Sequence, residues 1–164
     1  MAKLKTLRLP TGVAAELRSA TAEDLPAIVR LLADDPLGLT RDGIDDGEAL
    51  QQYLAAFEAI DADPAHLLVV ATVDDAVVGT LQFSVLPGLA RRGALRAQIE
   101  AVRVATDHRS AGLGAAMITW AIEEARRRDC ALVQLTTDKS RVDAHRFYAR
   151  LGFTASHEGF KIPL

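Results

Sequence analysis

The chain has 164 residues, 49% of them hydrophobic and 25% charged, a size that supports one hydrophobic core and a balance that excludes both a disordered tail and a membrane-embedded chain. Nineteen Lys plus Arg against 22 Asp plus Glu leave a formal net charge of -3, which argues against a surface built as a whole for nucleic acid. Cys130 is the single cysteine, so there is no internal disulfide, no thiolate metal cluster and no C-x-x-C pair, and the expected compartment is reducing. Met1 to Gly12 alternates Lys and Arg with Leu but lacks the apolar run of a signal peptide. No stretch approaches the roughly 18 apolar residues of a membrane span. The expectation is a cytoplasmic protein with no membrane partner.

Residues 1–15 read as a loosely attached N-terminal extension punctuated by Pro10-Thr11-Gly12, and 16–164 as one unit. Thr21 is placed as the N-cap of a first helix, with Asp24 in its acidic first turn and Leu25, Ile28, Val29 and Leu32 at helical spacing. Asp35 to Gly47 is a polar loop, and Glu48 to Ala59 is a second helix that ends before Asp63-Pro64. Leu67 to Val73 and Val77 to Leu86 are β-rich runs joined by a tight hairpin at Asp74-Asp75-Ala76, and Pro87-Gly88 ends the second. Leu95 to Val104 is a further strand whose alternation slips by one residue between Ile99 and Val102, the signature of a β-bulge.

From Gly114, the positions Met117, Ile118, Ala121, Ile122 and Ala125 follow a helical period, and Arg126 to Arg128 compensate the dipole at its end. Leu132 to Leu135 is another strand. Ala144, Phe147, Tyr148 and Leu151 make a helical stripe stopped by Gly152. Phe153 to Ser156 and Phe160 to Ile162 read as a last pair of strands. The order α-α-β-β-β-α-β-α-β-β describes an α/β or α+β domain with a mixed sheet.

The chemistry concentrates in Val104 to Gly114, which runs from a strand into a helix. The first-turn amides of a helix have no internal acceptor and the dipole is positive there, so this end suits an anion. Gly112 and Gly114 carry no Cβ to hold a phosphate off the backbone, and Arg109 adds a fixed charge with a planar fork. The third glycine of G-x-G-x-x-G is replaced by Met117, and no Gly-Lys-Ser/Thr follows, so nicotinamide and P-loop nucleotide folds are disfavoured. The alternative for the glycines is a plain strand-to-helix turn.

Arg109-Ser110-Ala111-Gly112-Leu113-Gly114 resembles the R/Q-x-x-G-x-G/A signature of the GNAT family of N-acetyltransferases. Ile99 to Val104 resembles that family's fourth strand, residues 17–28 its opening strand and helix, and Ala144-His145-Arg146-Phe147-Tyr148 through Gly152-Phe153 its C-terminal element. The resemblance implies a mostly antiparallel central sheet, flanked by about four helices, in which the family's fourth and fifth strands splay. It also implies acetyl-CoA as cosubstrate and no metal. By it, the pyrophosphate lies on the amides of Arg109, Ser110, Ala111, Gly112, Leu113, Gly114 and Ala115, while the pantetheine arm pairs with backbone around Val102, Arg103 and Val104.

An alkylamine with pKa near 10.4 is only about one part in 10³ neutral at pH 7, so acetyl transfer to it needs a proton acceptor. The resemblance puts Glu100 there, acting through water. Its other reading is a solvent-facing strand residue or an ion pair with Arg103 or Arg96. The resemblance likewise assigns the Val102 N–H to the developing oxyanion and the Tyr148 phenol to protonation of the departing thiolate, against a plain core tyrosine. Where many relatives carry asparagine, seven residues before that tyrosine, this chain has Arg141, which with Lys139 either meets CoA phosphates or is ordinary surface charge. Cys130 reads as a small hydrophobe, and His145 and His157 have no helical partner for a metal.

The expected acceptor is a primary amine on a small molecule. Asp34-Asp35 and the acidic residues from Asp42 to Glu48 would attract a cationic amine, whereas Arg91, Arg92 and Arg96 would hold an acidic group; both runs also read as solvated surface. The rival functions are an acetyltransferase for protein lysines or N-termini and a non-catalytic CoA-binding regulator. No basic recognition helix is present for nucleic acid, and the resemblance allows a homodimer through C-terminal strands.

Overall fold

The computed structural model describes residues 2–34, 42–43 and 47–163. Six strands form one sheet in the order β1-β2-β3-β4-β5-β6, comprising β1 (Lys3–Arg8), β2 (Ala14–Ser19), β3 (His66–Val73), β4 (Ala76–Leu86), β5 (Arg96–Val104) and β6 (Leu132–Leu135). Neighbours are antiparallel up to β5, and β6 then runs parallel to it. Helices α1 (Leu25–Ala33), α2 (Gly47–Asp61), α4 (Leu113–Arg127) and α5 (Val142–Arg150) flank the sheet, and α3 (Ala90–Gly93) is a single turn. This is the mixed fold expected.

Local chemistry explains most boundaries. Thr21 and Asp24 form a reciprocal capping box at the short 3₁₀ turn that leads into α1, with the Thr21 N–H donating to Asp24 Oδ2 at 2.8 Å. Asp24 also takes a bidentate pair from Arg18 on β2, at 2.6 and 2.8 Å, which fastens the helix to the sheet. Asp74 and Asp75, at φ 48° and 64°, supply the two left-handed residues of a tight β3–β4 hairpin. Gly152, at φ 90°, ends α5: its N–H donates to Ala149 O and the Phe153 N–H to Tyr148 O, a Schellman closure.

The main core lies between α4 and one sheet face, where Leu113, Met117, Ile118, Trp120, Ala121 and Ala125 meet Leu17, Val69, Leu81, Phe83, Ala97 and Ile99. On the other face a smaller cluster of Ala20, Ile28 and Val70, joined by Leu32, Phe57, Leu68 and Val77, seats α1 and α2.

Two expectations change. The N-terminal segment is no loose extension: β1 pairs along β2, and Leu7 and Leu9 are buried in the main core. Its short alternation of Lys with Leu is what an edge strand needs, charge outward and leucine inward. The expected terminal strands at Phe153–Ser156 and Phe160–Ile162 do not form; residues 153–163 carry no regular structure, so β6 remains an edge. The last segment is short and mostly exposed, Phe160 and Ile162 pack against nothing among the described residues, and a lone hairpin is not self-supporting. Among the described residues no helix is long and apolar enough to cross a membrane.

Candidate active site

The site begins where two strands stop pairing. β5 and β6 are matched from Arg96/Leu132 to Ile99/Leu135, and the match ends there. Glu100 is the next residue of β5, exposed at the apex of the parting strands. Immediately after it the β4–β5 ladder slips: Gln82 faces Glu100 while Thr80 faces Arg103, so Ala101 and Val102 share one place opposite Leu81, with Ala101 at φ 52°. The irregular alternation of the sequence is therefore a β-bulge, and it bends the strand away from β6.

Beyond β5 the chain makes a short 3₁₀ turn at Thr106–His108 and enters α4 through Ser110 and Gly112, both left-handed at φ 64° and 87°. The first internal amide bond at the helix start is Ala116 N–H to Gly112 O at 3.0 Å. Helical geometry directs the amides of Leu113, Gly114 and Ala115 out of that end, which lies beside Val104 at the end of β5. An anionic group fits these donors and the positive end of a 15-residue helix dipole.

Both glycines also answer to the protein's own packing. A Cβ on Gly112 would sit 2.8 Å from Pro10 Cδ, so this glycine accommodates the N-terminal segment and a positive φ. A Cβ on Gly114 would lie 3.5 Å from Phe147 Cζ and 3.7 Å from Val104 Cγ2, an ordinary packing contact where α5, β5 and α4 converge.

Arg109 is a fastener. Its Nε donates to Val104 O at 3.0 Å, and its Nη2 donates to Asp34 O and Asp34 Oδ2 at 3.2 and 3.1 Å. Thr106 Oγ1 donates to the same Asp34 carboxylate at 2.8 Å. The residue that ends α1 thus holds the loop that starts α4. Val102 O accepts from Arg103 Nη1 at 2.9 Å, so the carbonyls of Val102 and Val104 each already carry one arginine bond. A second acceptor lone pair and the strand N–H groups remain chemically suited to an extended ligand.

Tyr148 stands on the inner side of α5, in edge contact with Phe147 and Phe153 at centroid separations of 5.1 and 5.8 Å. Burial pushes its phenol pKa up, while the positive charges of Arg103 and Arg141 oppose the rise. With burial the larger influence, the phenol stays protonated through the neutral range. Arg141 precedes α5, its N–H bonded to Asp138 O and its carbonyl accepting from the His145 N–H.

Other candidates fall to structural roles. Burial raises the Cys130 thiol pKa, which suits a packed side chain. Arg127 and Arg128 pair with Glu124, and Arg128 also bonds Pro64 O and lies over the Phe83 ring. Lys139 pairs with Glu158 at the surface, and the imidazoles of His145 and His157 bond Asp138 O and Ser156 Oγ. Asp42 accepts from the Tyr53 hydroxyl at 3.1 Å and Glu48 is exposed; Asp35 and residues 44–46 lie outside the described residues. No group of three His, Cys, Asp or Glu among the described residues is placed to hold a metal ion.

A polar row that no sequence motif marks lies on the face opposite α4. His66, Ser84, Gln98 and Gln134 are register partners on four successive strands. His66 Nδ1 and Ser84 Oγ are 2.7 Å apart, and Gln134 Nε2 donates to Gln98 Oε1 at 2.7 Å. The signal was present as the alternation of Gln82 with Ser84 and of Gln98 with Glu100, but only the register brings these residues together.

Parted strands, a bulge beside them and an anion-receptive helix end define an acyl-CoA-dependent transferase. The chain belongs to the acetyltransferase (GNAT) family, whose model matches residues 25–153. It is an acetyl-CoA-dependent N-acetyltransferase. Among its relatives, an aminoalkylphosphonate N-acetyltransferase of Salmonella typhimurium is 31% identical over 145 residues, 88% of each chain. A solved structure described as a transcriptional regulator from Bacillus halodurans shares 44% identity with a TM-score of 0.87, covering 92% of this chain and 99% of that one. A putative acetyltransferase from Agrobacterium tumefaciens shares 31% identity with a TM-score of 0.75, covering 90% and 99%.

Proposed function

We propose that the protein acetylates the primary amine of a small molecule by direct attack within a ternary complex with acetyl-CoA. The observation that supports this is the course of β5, which leaves β6 at Glu100, bulges directly after it and runs on to Val104 beside the start of α4. The acceptor class of the Salmonella relative supports a small-molecule amine.

The cosubstrate supplies an activated acetyl thioester. In this reading the amides of Leu113, Gly114 and Ala115 bind its phosphates, with Ser110, Ala111 and Gly112 shaping the turn, while Arg109 holds the loop through Val104 and Asp34. Val102, Arg103 and Val104 offer a strand edge to the pantetheine arm, and the Val102 N–H serves as donor to the charge that develops at the carbonyl. Glu100 removes the ammonium proton through water. Tyr148 gives its proton to the leaving sulfur, and Arg103 and Arg141 oppose the burial-driven rise of its pKa, which keeps it a competent donor. We assign the chain to the cytoplasm. Phe160 and Ile162, 94% and 84% exposed beyond an edge strand, support a homodimer.

A second reading has a specific support, the Bacillus halodurans neighbour described as a regulator. In that case the chain binds CoA without turnover, and Glu100 and Tyr148 are not needed. Thiol release from acetyl-CoA across polyamines, amino acids, aminophosphonates, amino sugars and lysine peptides separates the two. Release with one small-amine class is expected. Release with lysine peptides alone overturns the small-molecule reading, and CoA binding without any release favours the regulator.

A further inference from the structure

Resting on the acetyltransferase reading above, we propose that the acceptor carries an oxyanion as well as its amine, and that Arg96 binds that oxyanion on the polar face of the sheet.

The inference starts from strand alternation. Ala97 and Ile99 are buried against α4, so Arg96, Gln98 and Glu100 project from the opposite face. Register places three rows in sequence there: Leu86–Arg96–Leu132, then His66–Ser84–Gln98–Gln134, then Leu68–Gln82–Glu100. Glu100 marks the point where the strands part, and Arg96 lies two rows away, about 13 Å between Cα atoms at ordinary strand rise. The Arg96 guanidinium rests beside Gly88, on the side of its row away from Glu100, so the acceptor draws it back along the sheet, and an arginine side chain is long enough for that swing to bring it within reach of a short aminoalkyl oxyanion.

The middle row is satisfied within the protein, since Ser84 and His66 bond each other and Gln98 and Gln134 bond each other. Arg96 differs: its Nε is buried and has no hydrogen-bond partner. Leaving a guanidinium N–H desolvated and unpaired is costly, and a ligand oxyanion is the partner that a planar fork suits best. The surroundings favour the same sign. A Cβ on Gly88 would lie 3.1 Å from Arg96 Nη1, so the glycine leaves room for the guanidinium under the β4–β5 connection. That connection also carries Arg91 and Arg92, both exposed and left-handed at φ 56° and 61°. The geometry therefore gives the acceptor two recognised ends, cation toward Glu100 and anion toward Arg96, with a hydrogen-bonded floor between them.

The test is calorimetric binding to protein saturated with CoA, where no acetyl group can transfer, using aminoethylphosphonate, β-alanine and ethanolamine. Aminoethylphosphonate or β-alanine is expected to bind at least tenfold more tightly than ethanolamine, and the stronger of the two identifies a phosphonate or a carboxylate as the partner. Arg96→Gln should weaken that ligand about ten- to hundredfold with CoA affinity unchanged, and Arg96→Lys should restore part of the loss. Equal binding of ethanolamine and the two oxyanion-bearing amines, or binding indifferent to Arg96→Gln, overturns the proposal. Arg96-dependent binding without thiol release from acetyl-CoA would leave this site standing and overturn the catalytic reading instead.

Discussion

Replacing Gly112 by alanine tests how the N-terminal strand segment and the α4 loop depend on each other. Two costs are readable in the structure. The residue sits at φ 87°, which for an L side chain costs about 1–2 kcal/mol. The new methyl would also stand 2.8 and 3.1 Å from Pro10 Cδ and Cγ, a rigid ring that cannot swing aside, and such overpacking costs about 1–3 kcal/mol. The expected total is about 2–5 kcal/mol. Gly152 supplies the control, because it has φ 90° and nothing within 4 Å of an added Cβ; Gly152→Ala should cost only the conformational part. Urea titration of both variants gives the difference, and Pro10→Ala in the Gly112→Ala background should recover the steric part, since the touching atoms are those of the ring. Equal destabilisation at the two glycines, with no recovery from Pro10→Ala, would refute the argument that Pro10 packs on this loop.

Tyr148→Phe should lower kcat by roughly 10²-fold or more with little change in the KM for acetyl-CoA, and full activity in a folded variant would remove the phenol from the reaction. Arg141→Ala, by taking away one of the two charges that oppose burial, should raise the Tyr148 pKa further, as read by ultraviolet titration of the phenolate. Glu100→Gln should reduce kcat/KM by roughly 10²- to 10⁴-fold without altering CoA binding; an unchanged rate would make Glu100 a surface residue. Asp34→Asn breaks a half-exposed pair with Arg109, so the stability change should stay below about 1 kcal/mol, while the KM for acetyl-CoA rises as the loop loses its anchor. For Asp24, burial would raise the carboxyl pKa, but the Arg18 fork and the Thr21 N–H outweigh it and the net shift is downward. Stability from this group is therefore full above the ordinary carboxylate range near pH 4 and is lost as pH falls through the lowered folded value. Asp24→Asn should flatten the urea midpoint against pH in that acid window.

Much of this protein is determined locally and can be read along the chain. The capping pair Thr21 and Asp24, the left-handed Asp74-Asp75 turn, the bulge after Ile99 and the Gly152 stop are decided by neighbours a few residues away, which is why sequence pattern suffices for them. The family motif at Arg109 to Gly114 is legible for the same reason. Tertiary structure alone decides what those residues touch. Arg109 meets Asp34 across 75 positions and Gly112 yields to Pro10, so a motif that reads as phosphate-binding also proves to be the joint between α1, the N-terminal segment and α4. The polar row from His66 to Gln134 exists only once four strands are in register. Residues 153–163, apolar enough to suggest strands, form no ladder even though β6 offers an open edge, because strand formation is a property of the pairing and not of a segment alone.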